Sequence, residues 1–399
     1  MTRLSAYAMT LVVGLCAGCV SSTPSAPAST ANPTSREAAA RTATPHASAP
    51  PPSASPLDDV FGSDWETVEL GSDNADPRAA VYGDAGPVIV GATCDGSVNP
   101  PDCTAAAWHL GTGGTWTSST VEDAEGATIY EVVYSGNYIA LGGRIEGDGQ
   151  VVRAILWESA DAAIWKVKGS VEIGDCSGEG PPCGHAERLT ATPGGLIILG
   201  DVYAAGADPY YGALRSADGT HWTQIPPMTF GDPDAYIAAG LPVDGAVVAL
   251  VGGGKTPMTA WRTTDGSSWT QFSTFGDVVQ STGSLALDGG LLVAAEGQSA
   301  PEGFRTTMWT STDGQPFERS TAFDDVILTK VAFAGPAGFV GVGHDEGRPQ
   351  VIASTSGRSW YRTTPGLPQI ECAPSSLAGG ASSALYIGDC GTVWTIRAP

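Results

Sequence analysis

Six of the eight cysteines in this 399-residue chain fall as three local pairs: Cys94 with Cys103, Cys176 with Cys183, and Cys372 with Cys390. Several pairings are open to six thiols, and joining nearest neighbours closes each loop without crossing the chain. In an oxidising compartment the expected product is three disulfides. Zinc is the rival chemistry, but no Cys-x-x-Cys or nearby His pair accompanies these residues.

The second set of reactive groups is acidic. Asp and Glu number 42 against 19 Lys and Arg, a net charge of −23. A field of that sign repels phosphate backbones, so nucleic acid is not an expected partner. It suits a solvated exterior or the attraction of cationic ligands. Glu122-Asp123, Phe230-Gly-Asp232, Phe275-Gly-Asp277 and Phe323-Asp-Asp325 repeat one acidic element. Gathered round one opening, these carboxylates would receive a cation or a basic peptide. The alternative is that each Asp caps its own turn while each Phe packs in a core. No Gly-x-Ser-x-Gly elbow, phosphate loop or paired-His motif is present, and the five His residues are scattered. No catalytic residue, metal ligand or cofactor is assigned.

The elements that must carry these groups are repetitive. Apolar runs ending in Gly occupy 87–91, 138–142, 196–200, 247–252, 291–297, 339–343 and 385–388. A tight turn usually leads into each run, which reads as a hairpin. A third strand follows, marked in turn by Trp108, Trp157, Leu214, Trp261, Trp309, Ile352 and Trp394. Then comes a polar turn: Ser216-Ala-Asp-Gly-Thr-His-Trp222, Thr263-Thr-Asp-Gly-Ser-Ser-Trp269 or Ser311-Thr-Asp-Gly-Gln-Pro-Phe317, with weaker copies at 110–116, 159–165 and 354–360. Asp and Ser accept bonds from nearby N–H groups, Gly takes a positive φ, and the ring packs back on the sheet.

This pattern resembles the Asp-box, or BNR, repeat of sialidase-like propellers over roughly residues 65–399. Asp161, Asp218, Asp265 and Asp313 match its acid. The resemblance and the repeat length imply an all-β fold over 57–399: a seven-bladed β-propeller of four-stranded antiparallel blades. A strand at Trp65 would complete the last blade beside Trp394 and hide both edges. A monomer is expected.

With strands A to D counted outward from the axis, A–B hairpins and Asp-box turns share one face. B–C loops and D–A crossovers share the other, and all three cysteine pairs stiffen it. That face is the possible ligand face, with Arg144, Asp208, Tyr210, Tyr211, Asp232, Asp277, Arg305 and Arg348. The tyrosine pair could stack on sugar rings. Sialidase-like enzymes use an arginine cluster, a Tyr–Glu nucleophile pair and an acid–base Asp; the early Phe/Tyr-Arg-Ile-Pro signature of that family is absent here. Two functions stay open. One is a non-catalytic propeller that binds or assembles with a glycan, peptide or envelope protein. The other is a glycoside hydrolase or lyase with a non-standard site on the disulfide-bearing face.

Ahead of the repeat, Arg3 and an apolar stretch lead to Leu15-Cys16-Ala17-Gly18-Cys19. This resembles a bacterial lipobox, with Cys16 standing where that family usually has Leu. The resemblance implies a signal peptide over 1–18, acylation of Cys19, and anchorage to the outer face of the cell membrane. Residues 19–56 are rich in Ser, Thr, Pro and Ala, bury too little apolar surface to fold, and read as a disordered tether.

Overall fold

The computed structural model describes residues 65–397, apart from 97–101, 147–150, 176–184, 193, 202–211, 226, 232–234, 253–255, 276–280, 301–302, 346–347, 364–373 and 382. Short runs of Val, Ile, Leu and Ala broken by Gly turns form strands in sequential antiparallel sheets. Blade 1 is Ala75–Gly83, Gly86–Asp95, Asp102–Leu110 and Trp116–Ser118. Blade 2 is Ala127–Tyr134, Tyr138–Glu146, Val151–Ser159 and Ile164–Asp175. Blade 3 is His185–Thr192, Gly195–Asp201, Gly212–Ser216 and Thr223–Ile225. Blade 4 is Tyr236–Val243, Ala246–Gly252, Thr259–Thr263 and Thr270–Thr274. Blade 5 is Ser281–Asp288, Leu291–Ala300, Gly303–Thr312 and Glu318–Asp324. Blade 6 is Ile327–Phe333, Phe339–Asp345, Arg348–Ser354 and Tyr361–Thr363. Blade 7 is Pro374–Gly379, Ser383–Gly388 and Val393–Arg397, completed from the other end of the chain by Glu66–Val68.

Alternation along each strand feeds two neighbouring cores at once. Ile89 points into the seam between blades 7 and 1, whereas Val88 and Val90 point into the seam between blades 1 and 2. Every pair of consecutive blades shares one apolar cluster, including blade 7 with blade 1, so the ring is closed. The fold is a seven-bladed β-propeller.

The N-terminal strand completes the last blade as expected: Glu66, Thr67 and Val68 pair with Thr395, Trp394 and Val393. Trp65 is buried and stands edge-on to Tyr386, with ring centroids 5.9 Å apart. Blade 2 departs from the four-strand plan. Thr120–Val121, in the crossover from blade 1, pairs parallel to Ile164 and Trp165 on its outer edge. The Glu122 carboxylate then accepts the Val167 N–H at 3.0 Å, satisfying one donor of that edge.

The glycine that closes the apolar run of the second strand has a backbone cause in blades 1, 2 and 6. In six blades, all but blade 5, strand A carries a bulge near its start. The backbone there crowds the facing strand. A Cβ on Gly91, Gly142 or Gly343 would overlap the carbonyl oxygen of Asp76, Thr128 or Ile327.

The polar turns hold as expected at three of the four assigned acids. Asp218 accepts the N–H groups of Thr220 and His221 at 2.7 and 2.9 Å, and Ser216 Oγ accepts that of Gly219 at 2.8 Å. Asp265 repeats this with Ser267 and Ser268, both at 2.8 Å. Asp161 accepts from Ala163 and Ile164, with Ala162 taking the positive φ that Gly takes elsewhere. Asp313 is a correction. It has φ 52° itself, followed by Gly314 at 71°, so the chain reverses in a tight two-residue hairpin turn. Its carboxylate accepts no turn N–H.

This contrast predicts unequal costs. The N–H group of Ser268, then the hydroxyl and N–H of Ser267, hold the Asp265 carboxyl well below the usual carboxylate range. A lowered folded pKa stabilises the fold above the unfolded value, near pH 4, and that gain is lost as pH falls toward the folded value. Asp265→Ala is expected to lower Tm by roughly 2 °C at pH 7, with the gap narrowing below pH 4. Asp313→Asn, which removes the charge and keeps a side chain suited to the positive φ, should leave Tm nearly unchanged, and thermal melts across pH check both.

Candidate functional site

The innermost strands of all seven blades enclose a channel of about 430 Å³. Its wall is mainly Ala, Val, Leu and Gly. Among the described lining residues the charged groups are Glu131, Arg188 and Lys330. The strand-A bulge puts these three at one height. Each is the first paired residue after the irregularity, opposite Leu141, Leu199 and Val342 respectively. Arg188 Nη1 lies 3.3 Å from Glu131 Oε2, joining blades 2 and 3 across the wall. Side-chain exposures of 33% and 18% leave the pair open to whatever enters. Towards the A–B hairpins the lining turns apolar and aromatic, with Tyr82, Tyr134, Pro242, Leu287 and Phe333. An apolar cavity with a few convergent polar groups is the arrangement that binding sites favour.

The arginines expected on the ligand face do not line this channel. Arg144 grips Asp123 in a two-pronged pair at 3.0 and 2.8 Å, and its hydrogen bonds hold the Asp123 carboxyl below the usual range. Arg305 pairs with Asp324 at 3.2 Å. Arg348 is exposed at the start of its strand. Cys19, Cys176, Cys183, Cys372, Asp208, Tyr210, Tyr211, Asp232 and Asp277 lie outside the described residues. Cys94 and Cys103 sit directly opposite one another in register and are bonded, with Cα atoms 4.1 Å apart. Cys390 is also in a disulfide.

Two aromatic members of the repeated acidic element, Phe230 and Phe275, pack against the next blade. The Phe230 ring meets Trp261 and Trp269 of the next blade, both at 5.4 Å. Phe275 meets Trp309 and Phe317 of its next blade at 5.3 and 4.9 Å. Asp123 is committed to Arg144 and Glu122 to the blade 2 edge. Among the described residues no group of three His, Cys, Asp or Glu side chains is placed to hold a metal ion.

Glu131, Arg188 and Lys330 were not singled out by motif spacing. A signal for them exists. Each is followed by an apolar strand end (Val-Val-Tyr, Leu-Thr-Ala, Val-Ala-Phe), so aligning the first strands of the blades puts the three charges in one column.

Comparison with solved structures bears on the fold. YCF48 bound to D1 peptide superposes with a TM-score of 0.51 at 14% identity, covering 85% of this chain and 99% of that one. The Cps50 (Swd1) β-propeller domain of Myceliophteria thermophila gives 0.51 at 11% identity, covering 84% and 100%. A catalytically inactive virginiamycin B lyase from Staphylococcus aureus, with quinupristin, gives 0.50 at 11% identity, covering 84% and 99%. No protein-family model and no curated protein sequence matches the chain. At these identities the likeness is one of fold.

Proposed function

We propose that this protein is a cell-surface lipoprotein whose propeller is a non-catalytic binding or assembly module for a peptide, glycan or envelope protein. The observation that carries the reading is the channel: an apolar lumen with one tier of charge, framed by a closed and rigid ring. The Asp-box-type turns serve that ring, since their acids are spent on backbone N–H groups. The lipobox-like Cys19 and the Ser/Thr/Pro-rich segment after it would display the module outside the membrane. Cys94–Cys103 lies on the crossover face, where stiffened loops suit recognition.

The hydrolase reading draws less support, because Arg144 and Arg305 are each held by an aspartate away from the channel wall. Peptide and glycan arrays probed with the purified protein test the proposal. A retained ligand should lose at least tenfold in affinity with Arg188→Gln, which removes the cation without setting a second carboxylate against Glu131, in a protein that stays folded. Turnover of a fluorogenic sialoside that Arg305→Ala abolishes would overturn the non-catalytic reading. Cys19→Ser should release the protein from membranes into the medium; retention on the membrane would contradict the anchor.

A further inference from the structure

Glu131 and Arg188 meet across the channel wall, and their hydrogen-bonding capacity is unequally spent. Both oxygens of Glu131 already accept a bond: Oε1 takes the Val132 N–H at 3.2 Å, and Oε2 takes Arg188 Nη1 at 3.3 Å. A guanidinium carries five N–H donors in a planar fork. Arg188 gives one of them to Glu131, and among the described residues its Nε and Nη2 have no partner. The guanidinium is also the more open half of the pair, 33% exposed against 18% for the carboxylate. What the pair offers to the lumen is a set of donors.

The surroundings narrow what would accept from them. Val132 and Leu189, the residues that follow the pair, line the channel, and Leu287 and Phe333 line it toward the A–B hairpins. The first residue after the strand-A bulge in blade 4, equivalent to Glu131 and Arg188, is Ala239. Glu131 is the sole acid among the described lining residues. Lys330, at the same height, has an interaction of its own. At about 430 Å³ the lumen is within the size range of pockets that enclose small ligands.

From this we infer that the channel takes a carboxylate borne by an apolar peptide segment, held by Arg188. This rests on the channel being a binding site, as proposed above, and names the group recognised there. A charged acceptor makes bonds roughly twice as strong as a neutral one, and the guanidinium fork matches its two oxygens. An ammonium group would find both Glu131 oxygens engaged and a guanidinium beside them. A sugar acid would set hydroxyls against Val132, Leu189 and Phe333, which cannot bond them. The acids behind the net charge of −23 oppose this weakly, because exposed charges beyond about 8 Å are largely screened at physiological salt.

The test measures probe affinity by ligand-observed NMR on the full-length protein. The Arg188 Nε–H resonance of arginine-labelled protein reports where each probe sits. Acetyl-Ala-Leu with a free carboxylate is expected to shift that resonance and to bind at least tenfold more tightly than acetyl-Ala-Leu amide. Arg188→Gln should erase this preference in a folded protein. Glu131→Gln keeps an acceptor for the Val132 N–H but releases the guanidinium, so acid binding should tighten at least threefold. Acetyl-Ala-Glu-Leu amide separates the two sources of the group. Binding as tight as the free acid means that a side-chain carboxylate serves, and binding no better than the plain amide restricts the group to a chain end. Equal affinity for acid and amide, with both shifting Arg188, would overturn the carboxylate and leave the channel a binding site. Weaker acid binding in Glu131→Gln, or preference for acetyl-Lys amide or glucuronate over the peptide acid, would overturn it as well. So would the absence of any shift at millimolar acid, and the channel is then judged separately by the array ligand and its dependence on Arg188.

Discussion

Gly142→Ala is expected to cost the ring about 3 kcal/mol, the upper end for overpacking a tight interior. Gly142 faces Ile129, immediately before the strand-A bulge of blade 2. An added Cβ would meet the Thr128 carbonyl, the Ile129 Cα at 2.9 Å and the Trp157 ring at 2.8 Å. Two of these three obstacles are backbone, which cannot rotate away. Relief would need the bulge to flatten, and that would move Glu131 out of the tier it shares with Arg188. Denaturant unfolding should therefore show a lower midpoint, and channel binding should weaken with it. Gly113→Ala is the matched control. Its Cβ would have nothing within 4 Å, so stability should hold within about 0.5 kcal/mol. Similar behaviour of the two variants would refute the close-approach explanation.

Trp65→Ala is expected to destabilise by about 3–5 kcal/mol, the usual range for emptying a buried Trp site. Trp65 is only 6% exposed and belongs to the cluster that joins blades 6 and 7. It packs against Tyr386, which in turn lies 5.0 Å from Trp394. The strand beginning at the next residue is three residues long, so its ladder alone holds little. Deleting residues 57–70 goes further. It removes Trp65, the closure strand and Leu70, which belongs to the cluster between blades 7 and 1. The outer edge of Val393–Arg397 is then left unpaired, and an exposed edge recruits other chains. Size-exclusion chromatography should show aggregates and thermal melts a broad, lowered transition. A monomer with unchanged Tm would mean that the ring closes without this strand.

Much of the architecture was legible because its causes are local. Gly in a hairpin turn, Asp accepting N–H groups two and three residues on, and a Trp packing back on its own sheet act within a few residues. Repetition then multiplied a weak signal. The copy at Asp313 misled because Ser-Thr-Asp-Gly also suits a tight hairpin turn, and whether Asp or Gly takes the first positive φ is not encoded in the motif. The arginines misled for a related reason. Arg144 and Arg305 sit on the anticipated face, but partners only the fold could supply, Asp123 and Asp324, hold them.

The pairing of Cys94 with Cys103 shows where the boundary lies. Nearest-neighbour spacing proposed that bond, and the register of two adjacent strands places the residues face to face. Sequence alone determined the repeat, the blade count and the closing strand, because each follows from hairpin-scale periodicity. The cysteine pair belongs with them. Only the tertiary structure decided which side chains meet across blades. Glu131 and Arg188 are 57 positions apart, and Tyr82 and Ser383, joined by a hydrogen bond, are 301 apart. Both meetings depend on how seven separate sheets stack around one axis. Packing area sets that arrangement, and no local preference records it.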